Sequence, residues 1–133
     1  MINKKVLFAV LVLVISMLAC NFGGEPGVSN LRMTTDESGE TTVSSYSPTD
    51  DFYVFFDVTS VEVGTYFEAR WFALDIEGED PSTPFTTIEY NLEEGADSVY
   101  FQLFNDSDWP AGTYRAEVYM DGAKVGEQQF SVR

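Results

Sequence analysis

The sequence predicts an all-β fold, an antiparallel β-sandwich of about seven strands. Three observations support this prediction. Segments of about six to nine residues alternate apolar and polar side chains, turn signals separate them about every eight to twelve residues, and no 3.6-residue apolar period lasts three turns. Such a pattern is typical of two antiparallel sheets that pack face to face.

The first half of the predicted domain contains three candidate strands. They are expected at residues 28–35, at a weaker segment 41–46, and at 52–58, the most apolar run after the N-terminal segment. Alternate side chains of a strand point to opposite faces, so a face that is apolar throughout belongs in the core. The strand at 52–58 has such a face, which carries Phe52, Val54, Phe56 and Val58.

The next strands flank a loop that is rich in acidic residues. Residues 65–75 alternate again, and we expect Trp71 to lie at the centre of the core. Residues 75–84 contain four acidic residues, a glycine and two prolines, so no strand runs through them. Beyond this loop, residues 88–92 and 99–104 form two further alternating segments.

The C-terminal strands are predicted to form a hairpin. Asp121 and Gly122 lie between two alternating runs, and Asp-Gly favours a two-residue type I′ turn because both central residues need φ > 0. The turn fixes the register of both strands. The face expected in the core carries Tyr114, Ala116, Val118, Met120, Phe130 and Val132.

Residues 1–20 have the features of a secretory signal. Lys4 and Lys5 precede a long apolar run that ends in Met-Leu-Ala-Cys at residues 17–20. This ending resembles the lipobox of bacterial lipoprotein signals, usually Leu-(Ala/Ser)-(Gly/Ala)-Cys. The resemblance implies that Cys20 becomes the first mature residue and carries acyl chains. The alternative is a free or buried thiol, but Cys20 is the only cysteine and therefore has no disulfide partner within the chain.

This resemblance divides the chain into three parts. A signal peptide covers residues 1–19, the lipidated cysteine and a flexible tether cover 20–27, and the sandwich domain covers 28–133. The tether is rich in glycine and reaches roughly 25 Å when fully extended. We expect a lipid-anchored protein of the cell membrane or outer membrane that faces the extracytoplasmic side, with the membrane as one partner through Cys20.

The charge balance disfavours nucleic acid as a partner. Removal of the signal leaves five basic residues against 22 acidic ones, a net charge of 5 − 22 = −17, without a basic patch for phosphates. The chain has no histidine, the usual general base near neutral pH. Adjacent carboxylates such as Asp50 and Asp51 point to opposite faces of a strand. We therefore expect no enzymatic activity and no cofactor.

Two features resemble immunoglobulin domains. A tryptophan, Trp71, lies on the third main strand, and residues 108–114 read Asp-Trp-Pro-Ala-Gly-Thr-Tyr, with Ala116 where the immunoglobulin disulfide cysteine would be. More narrowly, residues 109–132 are similar to the closing strands of bacterial secreted and lipoprotein domains with a Trp-Pro-x-Gly-x-Tyr motif, an Asp/Asn-Gly hairpin and a terminal Phe-x-Val. The resemblance implies an Ig-like β-sandwich with a tyrosine corner at Tyr114, and it implies no reaction.

Two sets of side chains are candidate sites. Four acidic residues in one loop could offer oxygen ligands to Ca²⁺, although solvated loop charge explains them as well; they are Asp75, Glu77, Glu79 and Asp80. Outward rings on two strands expected to be neighbours could form one aromatic patch that binds a protein or glycan, unless the N-terminal segment covers them. These rings belong to Tyr53, Phe55, Tyr100 and Phe104.

The sequence thus favours a membrane-anchored, non-catalytic binding or interaction module. A structural or accessory subunit of an envelope complex is the alternative.

Overall fold

The computed structural model describes residues 27–133, which form eight strands. The predicted signal peptide, Cys20 and nearly all of the tether lie outside the described residues. Within residues 27–133, no helix is long and apolar enough to cross a membrane. The strands are β1 (Gly27–Thr34), β2 (Ser45–Tyr46), β3 (Phe52–Thr59), β4 (Tyr66–Ala73), β5 (Thr86–Asn91), β6 (Ser98–Leu103), β7 (Gly112–Met120) and β8 (Ala123–Val132).

The strands form two sheets, which confirms the predicted sandwich. The first sheet has the order β1-β3-β6 and the second has the order β2-β8-β7-β4-β5. All neighbours are antiparallel except β2, which runs parallel to β8. The segment predicted as a weak strand at 41–46 is thus only a two-residue strand, with which the chain joins the second sheet before it returns to the first sheet at β3.

The core lies between β3 of the first sheet and β4 and β7 of the second. Trp71 is completely buried, as predicted, and its ring stacks on Phe52 with the ring centroids 6.1 Å apart. Phe130 of β8 packs edge-on against both rings. The expected faces are confirmed, because the side chains at alternate positions of β3 and β4 are fully buried: Phe52, Val54, Phe56, Phe67, Ala69 and Trp71.

The β7–β8 hairpin closes through the predicted turn. Asp121 and Gly122 have φ values of 49° and 86°, as a type I′ turn requires. The register shifts by one residue after Val118, so β8 contains a bulge opposite this part of β7. Gly126 pairs with Val118, and a Cβ atom at Gly126 would lie 3.0 Å from the Leu31 side chain. Glycine here allows β1 to pack close to β8.

The first sheet has two distinct ends, which we name the near end and the far end. At the near end, Gly27 pairs with Thr59, and Ser98 of β6 pairs with Asp57. At the far end, Phe52 pairs with Leu103, the last residue of β6. Gly27, the last residue of the predicted tether, therefore lies at the near end.

Trp109 closes the core at the far end. Its ring stacks on Phe52 at 4.5 Å, and its indole nitrogen donates a hydrogen bond of 2.7 Å to the carbonyl of Asp50. The hydroxyl of Tyr114 donates to the carbonyl of Pro110 at 2.6 Å, which is the tyrosine corner that the resemblance to immunoglobulin domains implied. Both contacts tie the 104–111 loop to the body of the sandwich.

Candidate interaction surface

Strand β6 presents two exposed rings to solvent. It is an edge strand of the first sheet, with Val99 and Phe101 in the core and alternate residues pointing outward. Tyr100 is 45% exposed and Phe104, one residue after the strand, is 64% exposed. Among residues 27–133, Val63 is the one other large hydrophobic side chain that is exposed. Two of the three therefore lie on β6 or directly after it.

The predicted patch of four exposed rings requires correction, because Tyr53 and Phe55 are buried. They lie on β3, which does neighbour β6 as expected, but they are only 9% and 7% exposed. The guanidinium of Arg32 lies 4.5 Å above the Phe55 ring, and a Cβ atom at Gly39 would lie 2.7 Å from that ring. Strand β1 and the turn after it thus cover this part of the sheet.

Tyr53 nevertheless borders the two exposed rings. Its ring centroid lies 6.3 Å from that of Tyr100, in a tilted arrangement. Burial raises the pKa of the Tyr53 hydroxyl, and the nearby carboxylate of Asp51 adds to this effect. The surface at β6 therefore consists of Tyr100 and Phe104, supported from the side by a neutral Tyr53. We call these two exposed rings the β6 rings.

The backbone beside Phe104 is held by hydrogen bonds. The Asp51 carboxylate accepts one from the backbone N–H of Asn105 at 2.8 Å and one from the side-chain amide of Gln102 at 2.9 Å. The Asn105 side chain donates to the carbonyl of Pro48 at 2.8 Å. These bonds fix the positions on both sides of Phe104, so the exposed phenyl ring projects from an ordered backbone.

The outer face of the second sheet is covered by its own ion pairs. Arg70 lies 3.9 Å above the ring of Tyr119, and Arg115 lies 4.7 Å above that of Phe72. Arg115 pairs with Glu117 at 2.7 Å, and Arg70 pairs with Glu68. The hydrogen bond from Arg70 lowers the pKa of Glu68, and the hydrogen bond to Glu117 raises the pKa of Tyr119. Since the cations already cover these rings, this face offers fewer free contacts than β6.

The predicted calcium ligands are not brought together. Within the described part of the chain, no group of three or more acidic side chains is placed to hold a metal ion. Asp75 instead accepts a hydrogen bond from the backbone N–H of Thr113 at 2.5 Å. Asp80 accepts bonds from the backbone N–H and hydroxyl of Ser82 at 2.9 and 2.7 Å, which lower its pKa. Both carboxylates stabilise loops, while Glu77 and Glu79 are exposed.

Two hollows at the far end are weaker candidates. A polar hollow of about 660 Å³ is lined in part by Asp50 and Asp51, but the Asp50 carboxylate already accepts a hydrogen bond from the backbone N–H of Ser47 in its own loop, and that of Asp51 accepts one from Asn105. An apolar hollow of about 110 Å³ lies between Phe85 and Trp109 and is smaller than the pockets that hold small ligands, roughly 300–1,000 Å³. The β6 rings are therefore the strongest candidate.

Comparisons with known proteins identify the fold. No protein-family model matches the sequence, and no curated protein is significantly similar to it. An immunoglobulin-like protein of Pseudomonas aeruginosa, PA1606, has a similar structure, with a TM-score of 0.56, 14% identity, and coverage of 84% of this chain and 100% of that one.

Part of a larger protein is also similar. The alkylpurine DNA glycosylase AlkC of Pseudomonas fluorescens, bound to DNA that contains an abasic site analog, has a TM-score of 0.52, 13% identity, and coverage of 84% of this chain and 31% of the glycosylase. The soluble domain of PmoD from a Methylocystis species has a TM-score of 0.49 and 10% identity, with coverage of 83% and 94%. At such low identity the first two structures indicate the fold alone, and the fold of this chain is an Ig-like all-β sandwich.

Proposed function

We propose that this protein is a bacterial envelope lipoprotein whose Ig-like domain is a non-catalytic interaction module, and that the β6 rings bind its protein or glycan partner. The anchor is Cys20, which the lipobox-like sequence at residues 17–20 supports. The observation that carries the binding role is the exposure of Tyr100 and Phe104 on an ordered edge strand. The alternative role, a structural or accessory subunit of an envelope complex, uses the same surface.

Exposed rings on a fixed backbone suit a binding role. Burial of a large aromatic side chain on association contributes much of the binding free energy, and truncation at such hot spots costs about 2 kcal/mol or more. Association also costs the ordering of flexible groups, and this cost is smaller where the backbone is already held. Phe104 meets both conditions, because it is 64% exposed and flanked by residues whose side chains or backbone bond to Asp51.

The position of the anchor agrees with this role. The tether joins β1 at Gly27, at the near end of the first sheet, whereas Phe104 lies beyond Leu103 at the far end. Strand β6 has six residues, so the two ends are about 20 Å apart. The point of attachment therefore leaves Phe104 at the end of the sheet farther from the tether, where a partner in the extracytoplasmic space can reach it.

The anchor is tested by substitution of the cysteine. Cys20→Ser is expected to move the protein from the membrane fraction to the soluble fraction, because the thiol is the site of acylation. The measurement is fractionation of cells followed by intact-mass analysis of the wild-type protein. An unmodified Cys20 in the native protein would contradict the proposal.

The binding role is tested by truncation of the β6 rings. The double variant Tyr100→Ser, Phe104→Ser is compared with the control Val63→Ser, which removes the third exposed hydrophobic side chain. All proteins are the tagged full chain, solubilised from membranes, with pull-down from envelope extract and a glycan array as readouts. The double variant is expected to lose a partner that the wild type and the control retain. Equal capture by all three proteins would refute the role of this surface.

A further inference from the structure

Strand β6 has an open backbone edge. Its other edge pairs with β3, and the backbone N–H of Val58 donates to the carbonyl of Asp97 at 3.0 Å, which sets the alternation of the ladder. Residue pairs in an antiparallel ladder alternate between hydrogen-bonded and non-hydrogen-bonded ones, and the pair Val58–Asp97 is hydrogen-bonded. Every second residue after Asp97, at positions 99, 101 and 103, therefore directs its backbone N–H and C=O toward β3. The opposite set points to the open edge. It comprises the N–H and C=O groups of Ser98, Tyr100 and Gln102.

This edge lacks the features that usually protect an edge strand. Natural sheets discourage strand addition with charged side chains, proline, or very short edges. The outward side chains of β5, the neighbouring edge of the second sheet, are polar and include Glu89. Strand β6 has no charged residue and no proline, and it carries an exposed ring at Tyr100 with another directly after it. The edge of β6 therefore accepts an added strand more easily than the edge of β5 does.

The charge around β6 indicates the kind of strand that would be accepted. Residues 71–114, which include β5 and β6 with their loops, contain ten acidic residues and no lysine or arginine. Asp97 directly precedes β6, and Asp106 and Asp108 follow it. A second copy of this chain would bring two such regions together, and like charges repel. A strand with lysine or arginine at its ends would instead meet opposite charge at both ends.

We propose that an extended segment of another polypeptide, alternating in pattern and flanked by lysine or arginine, adds to β6 as a fourth strand of the first sheet. Its backbone bonds to the open groups of Tyr100 and Gln102, and an apolar side chain packs between the Tyr100 and Phe104 rings. This inference rests on the proposed function and specifies its partner as a protein segment bound through its backbone.

The test uses a synthetic peptide as the probe. The peptide is Lys-Lys-Thr-Val-Thr-Val-Thr-Lys-Lys, and the protein is the full chain in nanodiscs of zwitterionic lipid. Two control peptides carry either glutamates in place of the lysines or N-methyl groups on the five central residues, which removes their backbone donors. Amide NMR follows both binding and hydrogen exchange. The first peptide is expected to bind and to slow exchange at Tyr100 and Gln102 by about tenfold or more.

A matched pair of variants tests the backbone contact. Gln102→Pro removes an outward N–H, whereas Gln102→Ala keeps it, and both lose the side-chain bond to Asp51. Proline is tolerated at an edge where the N–H faces solvent. Binding of the peptide to Gln102→Pro is expected to be about tenfold weaker than to Gln102→Ala. Thermal melts of both variants verify folding, and the hydrogen-exchange result on the unmutated chain stands independently of them.

Each contrary result overturns the strand-addition inference in its own way. If the first peptide does not bind, or if the glutamate or N-methyl peptide binds equally well, the inferred chemistry or backbone contact is wrong. If the amides of Tyr100 and Gln102 are already protected from hydrogen exchange without peptide, and lose this protection on dilution, a second copy of this chain occupies the edge of β6. In these cases the pull-down with the Tyr100 and Phe104 variants decides the proposed function separately, because it depends on the rings and not on the mode of contact.

Discussion

Truncation of Trp71 is expected to remove a large part of the stability of this domain. Trp71 is completely buried, and its ring packs against Phe52 and Phe130 with centroid distances of 6.1 Å in both pairs. Replacement of a buried tryptophan by alanine costs about 3–5 kcal/mol, since the transfer free energy is lost and a cavity remains. A domain of this size has roughly 5–15 kcal/mol of stability in total. Trp71→Ala should therefore be partly or largely unfolded at ordinary temperature.

A second substitution separates packing from polarity at the same position. Within the described residues, the indole nitrogen of Trp71 is buried and has no hydrogen-bond partner among the protein atoms, and a buried donor without a partner costs about 1–3 kcal/mol. Trp71→Phe removes this donor and keeps an aromatic ring beside Phe52. Removal of the buried donor offsets part of the packing that is lost with the indole ring, and we expect Trp71→Phe to cost clearly less than Trp71→Ala.

Urea denaturation of residues 27–133, followed by far-UV circular dichroism, measures both effects. Circular dichroism is preferable to fluorescence because the Trp71 variants lose one of the two tryptophans, so that only Trp109 would report their unfolding. Val63→Ala is the control, since a surface substitution usually changes stability by less than about 0.5 kcal/mol. A loss below about 1 kcal/mol for Trp71→Ala would refute the packing described for the core.

Three further substitutions test separate contacts by the same unfolding measurement. Gly39→Ala should lower the free energy of unfolding by about 2–4 kcal/mol, because the new Cβ meets the Phe55 ring and φ is 73°. The control Gly78→Ala has a φ of 88° but open space around the Cβ, so it should cost only about 1–2 kcal/mol. Equal losses would contradict the covering of Phe55. Tyr114→Phe should cost about 0.5–1.5 kcal/mol through loss of the tyrosine corner, and an unchanged midpoint would show that this bond contributes nothing. Burial raises the pKa of Tyr46 from 10.0 to about 12. The protonated hydroxyl therefore contributes fully to stability below pH 10, and this contribution is lost as the pH rises from 10 to 12. Tyr46→Phe should reduce the fall in stability over this pH range, and an identical fall would contradict the effect of burial.

The strands and their buried faces could be predicted because both are local properties. Alternation with a period of two assigned Phe52 and Trp71 to the core without knowledge of their partners. The turn at Asp121 and Gly122 was likewise determined by the φ angles that two adjacent residues can adopt.

The sequence left open whether the N-terminal segment covers the outward rings, because exposure depends on contacts between residues far apart in sequence. Phe55 is covered by Arg32 and by the turn at Gly39, so the expected patch of four rings became a surface of two. On the second sheet, Arg115 covers Phe72 because the register pairs these two residues. Arginines on outward positions of neighbouring strands were the available signal for this covering.

The acidic loop contained a signal that pointed away from a metal site. Aspartate followed two residues later by serine is typical of a turn in which the carboxylate bonds to the backbone. Asp80 makes this contact with Ser82 at 2.9 Å. The pattern of residues 75–84 therefore indicates a self-stabilised loop better than it indicates a ligand set.

Site-specific photo-crosslinking tests directly whether the β6 rings contact a partner. A benzophenone side chain replaces Phe104 in the full chain, and a matched protein carries it at Thr87, an exposed position on β5, an edge strand of the second sheet. Both are produced in the native host and irradiated in intact cells. A discrete adduct is expected from position 104, and none of that size is expected from position 87. Absence of an adduct at 104, or the same adduct from both positions, would contradict the claim that the β6 rings form the interaction surface.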